Sequence, residues 1–361
     1  MTDHSLDLAE AWPDLARSID EAASAIAELA PRLHPLDVVE GHRLYLRYLG
    51  IGIDSFVEHA DPLFPVFYSK SRDGVRKFAG DSPPQLYDTA AISGDHEYEV
   101  IGSVRDVPLL ELGVYSGDLS GLNPVPRRLI SHVTEADLTV DPEGRFRLVL
   151  SADPARADLL LAPDASVISA RRYLRSPFDR PDPLTIRRLG DDLATPPLTA
   201  PALATGVRAS GSFAVANLRM WAEWTERMRQ TKHNVMTPMA DSGDIFTPAG
   251  HHYVDGFWEL PEPDSALLIE FTAPPAEAYW SLVPMNYWME SFEWRFGDRV
   301  FASSFDTAPG ADGVVRLAIA DRDPGLPGVT WLRTLGHRQG LVSLRLARLT
   351  TPAPEVSCRL A

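Results

Sequence analysis

The sequence has a single cysteine, Cys358, among 361 residues. An intrachain disulfide and a zinc site built on several thiolates are therefore excluded within it. It also lacks an apolar run of about 18 residues, the length that a membrane-spanning helix needs. The first residues show no basic segment followed by an apolar one, so no signal peptide is indicated and the cytoplasm is the expected compartment.

Positive charge is scarce and scattered along the chain. There are 34 Lys and Arg residues against 50 Asp and Glu, a net charge of −16, and no run of five basic residues occurs. Nucleic acids and anionic membranes are recognised by clustered Lys and Arg, so neither is an expected partner. Hydrophobic residues make up 45% and charged residues 23%, which is typical of a globular protein.

The short motifs of common cofactor and metal sites are also missing. Glycine-rich dinucleotide and phosphate loops, the nucleophile elbow, the HExxH zinc motif and calcium loops do not occur. The adjacent pair His251-His252, with Asp255 nearby, would direct its two side chains to opposite faces of a strand. We therefore expect neither a bound metal nor a cofactor.

Helical periodicity is confined to two regions. Apolar residues spaced three and four apart predict helices within residues 6–59, interrupted by Pro31 and Pro35, and another helix over 213–232. Residues 191–212 are rich in Pro, Ala, Thr and Gly, a composition typical of a linker.

Alternating apolar residues over 86–190 and 250–350 predict strands, and the two regions resemble each other. Arg147-Leu148 and Asp153-Pro154 in the first recur about 169 residues later as Arg316-Leu317 and Asp323-Pro324. Chance similarity between two hairpins is the competing explanation. We predict a mainly β protein with a helical N-terminus and two β-sandwich-like units related by an internal repeat.

This pattern also predicts the domain organisation. Residues 1–85 would form a helical segment and loop, and residues 86–190 the first sandwich-like unit. A linker over 191–212 would lead to residues 213–361, which comprise a helix and the second unit. Exposed sheet edges make a homo-oligomer plausible.

The densest group of unusual residues lies between Tyr279 and Arg295, which holds three of the eight Trp. One interpretation is a core strand with packed aromatics. The other is a pocket for a small molecule, with aromatic walls and a few converging polar groups. On that interpretation the substrate-binding residues are Trp280, Asn286, Trp288 and Arg295.

Two further segments carry groups for acid–base chemistry. Arg322 and Asp323 follow a predicted strand, and His337 stands in a glycine-flanked turn. Each also has a structural interpretation, as turn hydrogen-bonding groups. If the strands at 314–320 and 341–349 are adjacent and antiparallel, both segments lie at one end of a sheet. The catalytic candidates, expected to line one concavity beside Trp280 or Trp288, are Asp323, His337, Glu290 and Arg322.

The second half resembles the bacterial domain-of-unknown-function family numbered 1214. The resemblance covers about residues 250–350 and rests on Tyr279-Trp280, Asn286–Ser291, Arg295, Arg322–Gly325 and Gly336-His337-x-x-Gly340. The segments 81–102 and 172–189 extend it over most of the chain. It implies a β-rich, sandwich-like, oligomeric protein and no particular reaction.

The chain departs from the family pattern at two places. Asp321 stands where members usually have His, and Val329-Thr330 where they have Pro-Asn. The first departure puts a shared acid–base role for position 321 in doubt.

Two functions from different classes follow. The leading hypothesis is a cofactor-independent enzyme that performs acid–base chemistry, a hydrolysis or an elimination, on a small apolar or ring-containing metabolite, with a glycoside as one variant. The alternative is a non-catalytic small-molecule-binding or oligomeric assembly protein.

Overall fold

The computed structural model describes residues 4–71, 75–239 and 251–361. The chain forms two compact units, each assembled from three separate segments. Unit 1 comprises residues 1–28, 42–76 and 84–218, and unit 2 comprises residues 29–41, 77–83 and 219–361. The N-terminal 85 residues are thus shared between the two units, which differs from the predicted contiguous division.

The described residues form three long helices. Two lie in the first region with helical periodicity, and the third begins before the second such region and continues through it. They are α1 (His4–Leu29), α2 (Pro35–Ile53, continued by a π-helical turn, Asp54–Glu58) and α3 (Ala200–Thr231). Short 3₁₀ turns occupy Ala30–Arg32 and Glu135–Asp137. None of the helices in the described ranges is long and apolar enough to cross a membrane.

The predicted linker is wrong over its second half, because α3 begins at Ala200 rather than at Phe213. The hydroxyl of Thr199 accepts a hydrogen bond from the Ala202 amide at 3.3 Å and so caps the helix. Glycine inside the helix permits close packing, since a Cβ on Gly206 would lie 2.4 Å from the carbonyl oxygen of Phe56. The small residues of this segment therefore allow close helix packing. Composition alone does not distinguish such a helix from a linker.

Within the part of unit 1 that the structure describes, there are nine strands in two sheets. They are β1 (Tyr68–Ser69), β2 (Gln85–Ala91), β3 (Tyr98–Ser103), β4 (Leu109–Ser116), β5 (Leu129–Thr134), β6 (Arg145–Ser151), β7 (Leu159–Leu160), β8 (Ala165–Tyr173) and β9 (Thr185–Arg188). The strand orders are β1-β2-β8-β4-β5 and β7-β6-β3-β9.

The described residues of unit 2 also form nine strands in two sheets. They are β10 (Met236–Pro238), β11 (His251–Glu259), β12 (Leu267–Thr272), β13 (Tyr279–Pro284), β14 (Ala302–Ser303), β15 (Val314–Ala320), β16 (Thr330–Arg333), β17 (Gln339–Ala347) and β18 (Val356–Leu360). The strand orders are β10-β11-β17-β13-β14 and β16-β15-β12-β18.

The two units share one topology. Renumbering β10–β18 as β1–β9 reproduces both strand orders, and the parallel pair β6 and β7 recurs as β15 and β16. The matched dipeptides Arg147-Leu148 and Arg316-Leu317 lie in the corresponding strands β6 and β15. The predicted fold class, a mainly β chain with a helical N-terminus and an internal repeat, is confirmed.

Each unit buries its core between its two sheets. In unit 1, Val114 and Ile168 of the five-stranded sheet share one apolar cluster with Val100 and Leu148 of the four-stranded sheet. In unit 2, the rings of Phe271 on β12 and Trp280 on β13 meet edge to face at 5.2 Å. Polar side chains lie on the opposite face of each five-stranded sheet, which is called its outer face.

Candidate functional site

The turn over residues 285–291 in unit 2 places several of the predicted site residues. The side-chain oxygen of Asn286 accepts hydrogen bonds from the amides of Trp288 at 3.0 Å and Glu290 at 2.9 Å. Met289 has a φ of +60°, a left-handed conformation that these bonds hold in place. An Asn at this position therefore sets the turn and orients Glu290.

A buried polar cluster forms around the carboxylate of Glu40. Its Oε2 accepts a hydrogen bond from Asn286 Nδ2 at 2.7 Å and lies 2.8 Å from His337 Nε2. Asn286 Nδ2 also donates to Glu290 Oε2 at 3.2 Å. Two of the four predicted catalytic residues, Glu290 and His337, thus lie in one cluster with a predicted binding residue.

His337 is fixed at both ring nitrogens. Nδ1 lies 2.7 Å from the carbonyl oxygen of Thr334, while Nε2 faces Glu40. Both partners are acceptors, so only the imidazolium form can donate to each. Burial alone would lower the pKa of His337, but the hydrogen bond and charge of Glu40 outweigh it and raise that pKa. This ring has no nitrogen left for a substrate.

Asp37 extends the cluster along helix α2. Its Oδ2 accepts a hydrogen bond from Gln339 Nε2 at 2.8 Å, and its backbone carbonyl accepts one from Trp288 Nε1 at 2.6 Å. Burial raises the pKa of the Asp37 carboxyl. A Cβ on Gly41 would lie 2.5 Å from the Trp288 ring, so the predicted aromatic wall is a packed core residue.

Arg322 and Asp323 lie apart from this cluster. Arg322 pairs with Asp264 at 3.0 Å, and the two side chains are 75% and 81% exposed. Asp323 accepts a hydrogen bond from the Gly325 amide at 2.9 Å, which is ordinary turn chemistry. The prediction that all four catalytic candidates line one concavity is wrong.

The error has a topological cause. A shared concavity would require strands β15 and β17 to be neighbours, but β15 belongs to the four-stranded sheet and β17 to the five-stranded sheet. The neighbours of β17 are β11 and β13, and β13 pairs with it antiparallel from Tyr279 opposite Ala347 to Pro284 opposite Val342. This pairing brings the end of β13, and with it Asn286, beside the start of β17 and His337.

The other predicted binding residues have local roles. Trp280 is 3% exposed and packs between the two sheets. Arg295 donates to both carboxylate oxygens of Glu293, at 2.8 and 2.6 Å, and its guanidinium lies 5.5 Å from the ring centre of Phe296. Neither is hydrogen-bonded to the Glu40 cluster among the contacts described.

Sequence reasoning missed Asp37 and Glu40, the acidic members of the cluster. They lie three residues apart on α2, a spacing that puts both on one helix face. Their partners lie about 250 to 300 residues further along the chain. The available signal was a helix whose polar face carries the motif Asp37-x-x-Glu40-Gly41.

Sequence reasoning also missed a second polar group on the outer face of the five-stranded sheet of unit 2. Asp255 on β11 lies opposite Ser343 on β17, and the Ser343 hydroxyl donates to Asp255 Oδ1 at 2.6 Å. Tyr253 lies opposite Arg345 on the same face. Arg345 donates to the carbonyl oxygen of Gly80 at 2.6 Å, which fixes its guanidinium.

The chemistry of this outer face is set by Asp255. Burial raises the pKa of its carboxyl, against the opposing effects of the Ser343 hydrogen bond and the positive charge of Arg345. A carboxyl whose neutral form is favoured can donate a proton, and a neighbouring guanidinium can hold an anion. Tyr253, which is partly exposed, adds an aromatic ring beside both groups.

Unit 1 repeats part of this arrangement. Tyr87 on β2 lies opposite Arg171 on β8, as Tyr253 lies opposite Arg345. Ser169 occupies the position of Ser343, but its partner across the strands is Thr89 rather than an acid. The Tyr–Arg pair is thus common to both units, whereas the buried carboxyl belongs to unit 2 alone at this position.

No family model matches the chain, and no curated protein matches its sequence. The structure is similar to that of an uncharacterized protein from Burkholderia cenocepacia, with a TM-score of 0.89 and 27% identity over 99% of this chain and 98% of that one. The VPA0106 protein from Vibrio parahaemolyticus covers 96% of this chain and 99% of its own at 10% identity, but its TM-score of 0.47 carries no inference. The first similarity agrees with the fold and names no activity.

Proposed function

We propose that the protein is a cofactor-independent enzyme that performs acid–base chemistry on a small ring-containing metabolite, at the outer face formed by Tyr253, Asp255, Ser343 and Arg345. One observation carries the proposal: a buried carboxyl with a raised pKa, hydrogen-bonded to a serine beside an arginine. Groups tuned in this way are concentrated at active sites. The catalytic role therefore moves from the predicted residues to Asp255.

The proposed roles follow from the chemistry of each group. Asp255 protonates the leaving group, the step that hydrolysis and elimination have in common. Arg345 holds an anionic substituent of the substrate, and Tyr253 contacts its ring.

The glycoside variant is less well supported on this face. Glycosidases place two carboxyl groups about 5 to 9.5 Å apart. The next carboxylate on the outer face of β11 is Glu259, four residues beyond Asp255. At about 3.3 Å per residue these two lie roughly 13 Å apart along the strand, too far for either mechanism.

The test combines ligand screening with turnover. A library of ring-containing metabolites is screened by thermal shift, and each hit is incubated with protein and followed by mass spectrometry. We expect Asp255→Asn to keep the shift and lose turnover, because the amide cannot donate the proton. Arg345→Met should lose both. The matched control is Asp323→Asn, an exposed acid that should change neither. Full turnover in Asp255→Asn would refute the proposal, and loss in Asp323→Asn would restore the role predicted for Asp323.

A non-catalytic binding or assembly protein is the second candidate. It is favoured by the Glu40–His337 cluster, whose hydrogen bonds are made within the protein and leave His337 no free nitrogen. A ligand that raises the melting temperature without being consumed would support this candidate over the enzyme.

The remaining expectations from the sequence are also proposals. They are membership of the family numbered 1214, a homo-oligomeric state, a cytoplasmic location and the absence of nucleic-acid and membrane partners. Light scattering coupled to size-exclusion chromatography tests the oligomeric state directly, since a monomer would elute with a mass near 39.8 kDa.

A further inference from the structure

A loop of unit 2, residues 77–83, lies against Arg345 on the outer face that also carries Asp255. Arg345 is 6% exposed, and its Nη2 donates to the carbonyl oxygens of Gly80 at 2.6 Å and Asp81 at 3.4 Å. A Cβ added to Gly80 would lie 3.8 Å from the same nitrogen. The backbone of the loop therefore occupies the guanidinium that is proposed to hold an anionic substituent of the substrate.

Two side chains anchor this loop to the residues at the end of the neighbouring turn. Asp81 accepts hydrogen bonds from the Ser291 amide at 2.8 Å and from the Ser291 hydroxyl at 2.5 Å. Lys77 donates to the carbonyl oxygen of Phe292 at 2.9 Å. The loop forms neither helix nor strand, so local polar contacts rather than a strand pairing hold it in place. Segments held in this way are among those that open most readily in a folded protein.

Two buried hydroxyl groups have unused hydrogen-bonding capacity in this arrangement. Ser82 in the loop is 2% exposed, and Ser281, directly opposite Arg345 on β13, is 0% exposed. Neither hydroxyl has a hydrogen-bond partner among the residues that the structure describes. A buried hydroxyl without a partner is unfavourable, and contact with water or a ligand removes that cost. Movement of the loop would hydrate Ser82, and an anion bound by Arg345 would lie beside the hydroxyl of Ser281.

The internal repeat shows how the surroundings of Arg345 differ from those of its counterpart. In unit 1, the corresponding Arg171 lies opposite the carboxylate of Glu111. In unit 2, Ser281 stands in the place of Glu111. Arg345 thus faces a serine across the strands where Arg171 faces an acid, and it donates to two uncharged carbonyl oxygens of the loop.

We propose that residues 77–83 form a lid, which covers Arg345 through the carbonyl oxygens of Gly80 and Asp81 and must open before an anionic ligand reaches this guanidinium. The inference rests on the function proposed for this face, which requires Arg345 to bind an anionic substituent. An ionised acceptor such as a carboxylate binds a guanidinium more strongly than an uncharged carbonyl does, so the ligand can take the place of the loop. The lid thereby controls access to the site, as mobile loops do in many enzymes.

The first test is a substitution that strains the closed lid. Gly80 has a φ of +74°, a left-handed conformation that alanine adopts only at a cost. In Gly80→Ala we expect the amides of Asp81 and Ser291 to exchange hydrogen for deuterium at least about fivefold faster than in the wild type, because that cost favours the open lid. The amides of β17 should keep their exchange rates, since the strand does not open with the lid.

Gly325→Ala is the matched control. Gly325 has a similar φ of +66° but stands in an exposed turn of unit 2, away from the lid. The control should leave exchange at Asp81 and Ser291 at the rate of the wild type. Unchanged exchange in Gly80→Ala would overturn the lid, and so would an equal acceleration in the control or throughout β17.

Access to Arg345 is measured by labelling with phenylglyoxal, a reagent specific for arginine, followed by peptide mass spectrometry. In the wild type, Arg345 should react slowly, whereas Arg322, whose side chain is 75% exposed, should react rapidly. Gly80→Ala should accelerate the labelling of Arg345 by the same factor as the amide exchange and leave that of Arg322 unchanged. Equal labelling of Arg345 in the variant and the wild type would show that the loop does not control access, and would overturn the proposal.

Benzoate, which joins an anion to a ring, separates failure of the lid from failure of the proposed function. It should protect Arg345 from labelling and bind Gly80→Ala at least about fivefold more tightly than the wild type, because fewer molecules are closed. Neutral benzamide should do neither. Equal affinity of benzoate for the two proteins would overturn the lid. No protection by benzoate, together with accelerated exchange in Gly80→Ala, would support the lid and refute the anion-binding role of Arg345.

A measurement on the wild type covers the case in which Gly80→Ala fails to fold. Local opening exposes little surface, so exchange at Asp81 and Ser291 should depend less on urea concentration than exchange in β17 does. An equal dependence at these two amides and in β17 would mean that the loop opens only when unit 2 unfolds as a whole, and the lid would be refuted.

Discussion

The outer faces of the two five-stranded sheets differ although the sheets have the same strand order. Both carry a Tyr–Arg pair, Tyr87–Arg171 in unit 1 and Tyr253–Arg345 in unit 2. Unit 1 adds the cation Lys70, whereas unit 2 has Met239 there and adds the buried acid Asp255. Topology is set by the buried apolar pattern, so polar groups on the outer face can change without altering it.

The largest expected effect would show how strongly unit 2 depends on its buried charges. Glu40→Ala removes the acceptor of two buried donors, Asn286 Nδ2 and His337 Nε2, and His337 then loses its proton because burial alone lowers its pKa. A buried polar group left without its partner costs about 1–3 kcal/mol, so two of them give the largest expected loss in the free energy of unfolding. The control is Asp264→Ala, which removes the exposed partner of Arg322 and should cost less than about 1 kcal/mol. Chemical denaturation measures both, and equal effects would contradict the structural role of the Glu40 cluster.

A second substitution tests a close approach that unit 1 does not have. A Cβ on Gly340 would lie 2.0 Å from the carbonyl oxygen of Met285, so we expect Gly340→Ala to cost at least about 1–3 kcal/mol through overpacking. Position 166 corresponds to 340 in the repeat and holds a serine.

Ser166→Ala serves as the control for that substitution. It removes a hydroxyl that donates to the Gly117 carbonyl at 2.5 Å and should cost about 1 kcal/mol. A Gly340→Ala protein as stable as the wild type would mean that the turn at Met285 shifts without cost.

Two acids of unit 2 should contribute to the pH dependence of the free energy of unfolding with opposite signs. Burial raises the pKa of Asp255, so its contribution is fully present below its unfolded pKa, near 3.8, and is lost as the pH rises through its folded value. Asp255→Asn should therefore flatten the fall in stability above pH 4.

The opposite case is Asp312, which accepts hydrogen bonds from Arg316 that lower its pKa to about 2. Its contribution is present above the unfolded pKa and is lost as the pH falls toward 2, so Asp312→Asn should flatten the acid side. Urea titrations from pH 3 to pH 8 separate the two variants. A common slope change in both would refute the assignment for Asp255.

The smallest expected effect concerns the cations of unit 1. In competitive labelling with an amine-reactive reagent, Lys70 should titrate near its pKa of about 7. In Arg127→Met that pKa should rise, yet stay below the ordinary value of 10.5 because burial remains. Arg128→Gln should leave it unchanged. No rise in Arg127→Met would show that burial alone depresses the pKa.

Part of the candidate site could be predicted from sequence because it is local. The run from Asn286 to Glu290 is a turn formed by its own Asn side chain, so its polar residues were recognisable as a group. Arg322 and Asp323 looked equally distinctive in the sequence, but their turn is exposed. Arg322 pairs with an exposed acid, and Asp323 bonds only to the amide two residues further along among the contacts described. Residue type and spacing do not reveal which turn is buried.

The sequence by itself determined the secondary structure of most segments and the internal repeat, because hydrophobic periodicity and turn residues act over a few positions. Tertiary structure alone decided which strands are neighbours, and therefore that β17 pairs with β13 and not with β15. It also decided that Glu40 meets His337 and that Asp255 is buried beside Ser343 and Arg345. Such contacts depend on pairing between strands and helices far apart in the chain, and the burial that shifts a pKa exists only once those elements have packed.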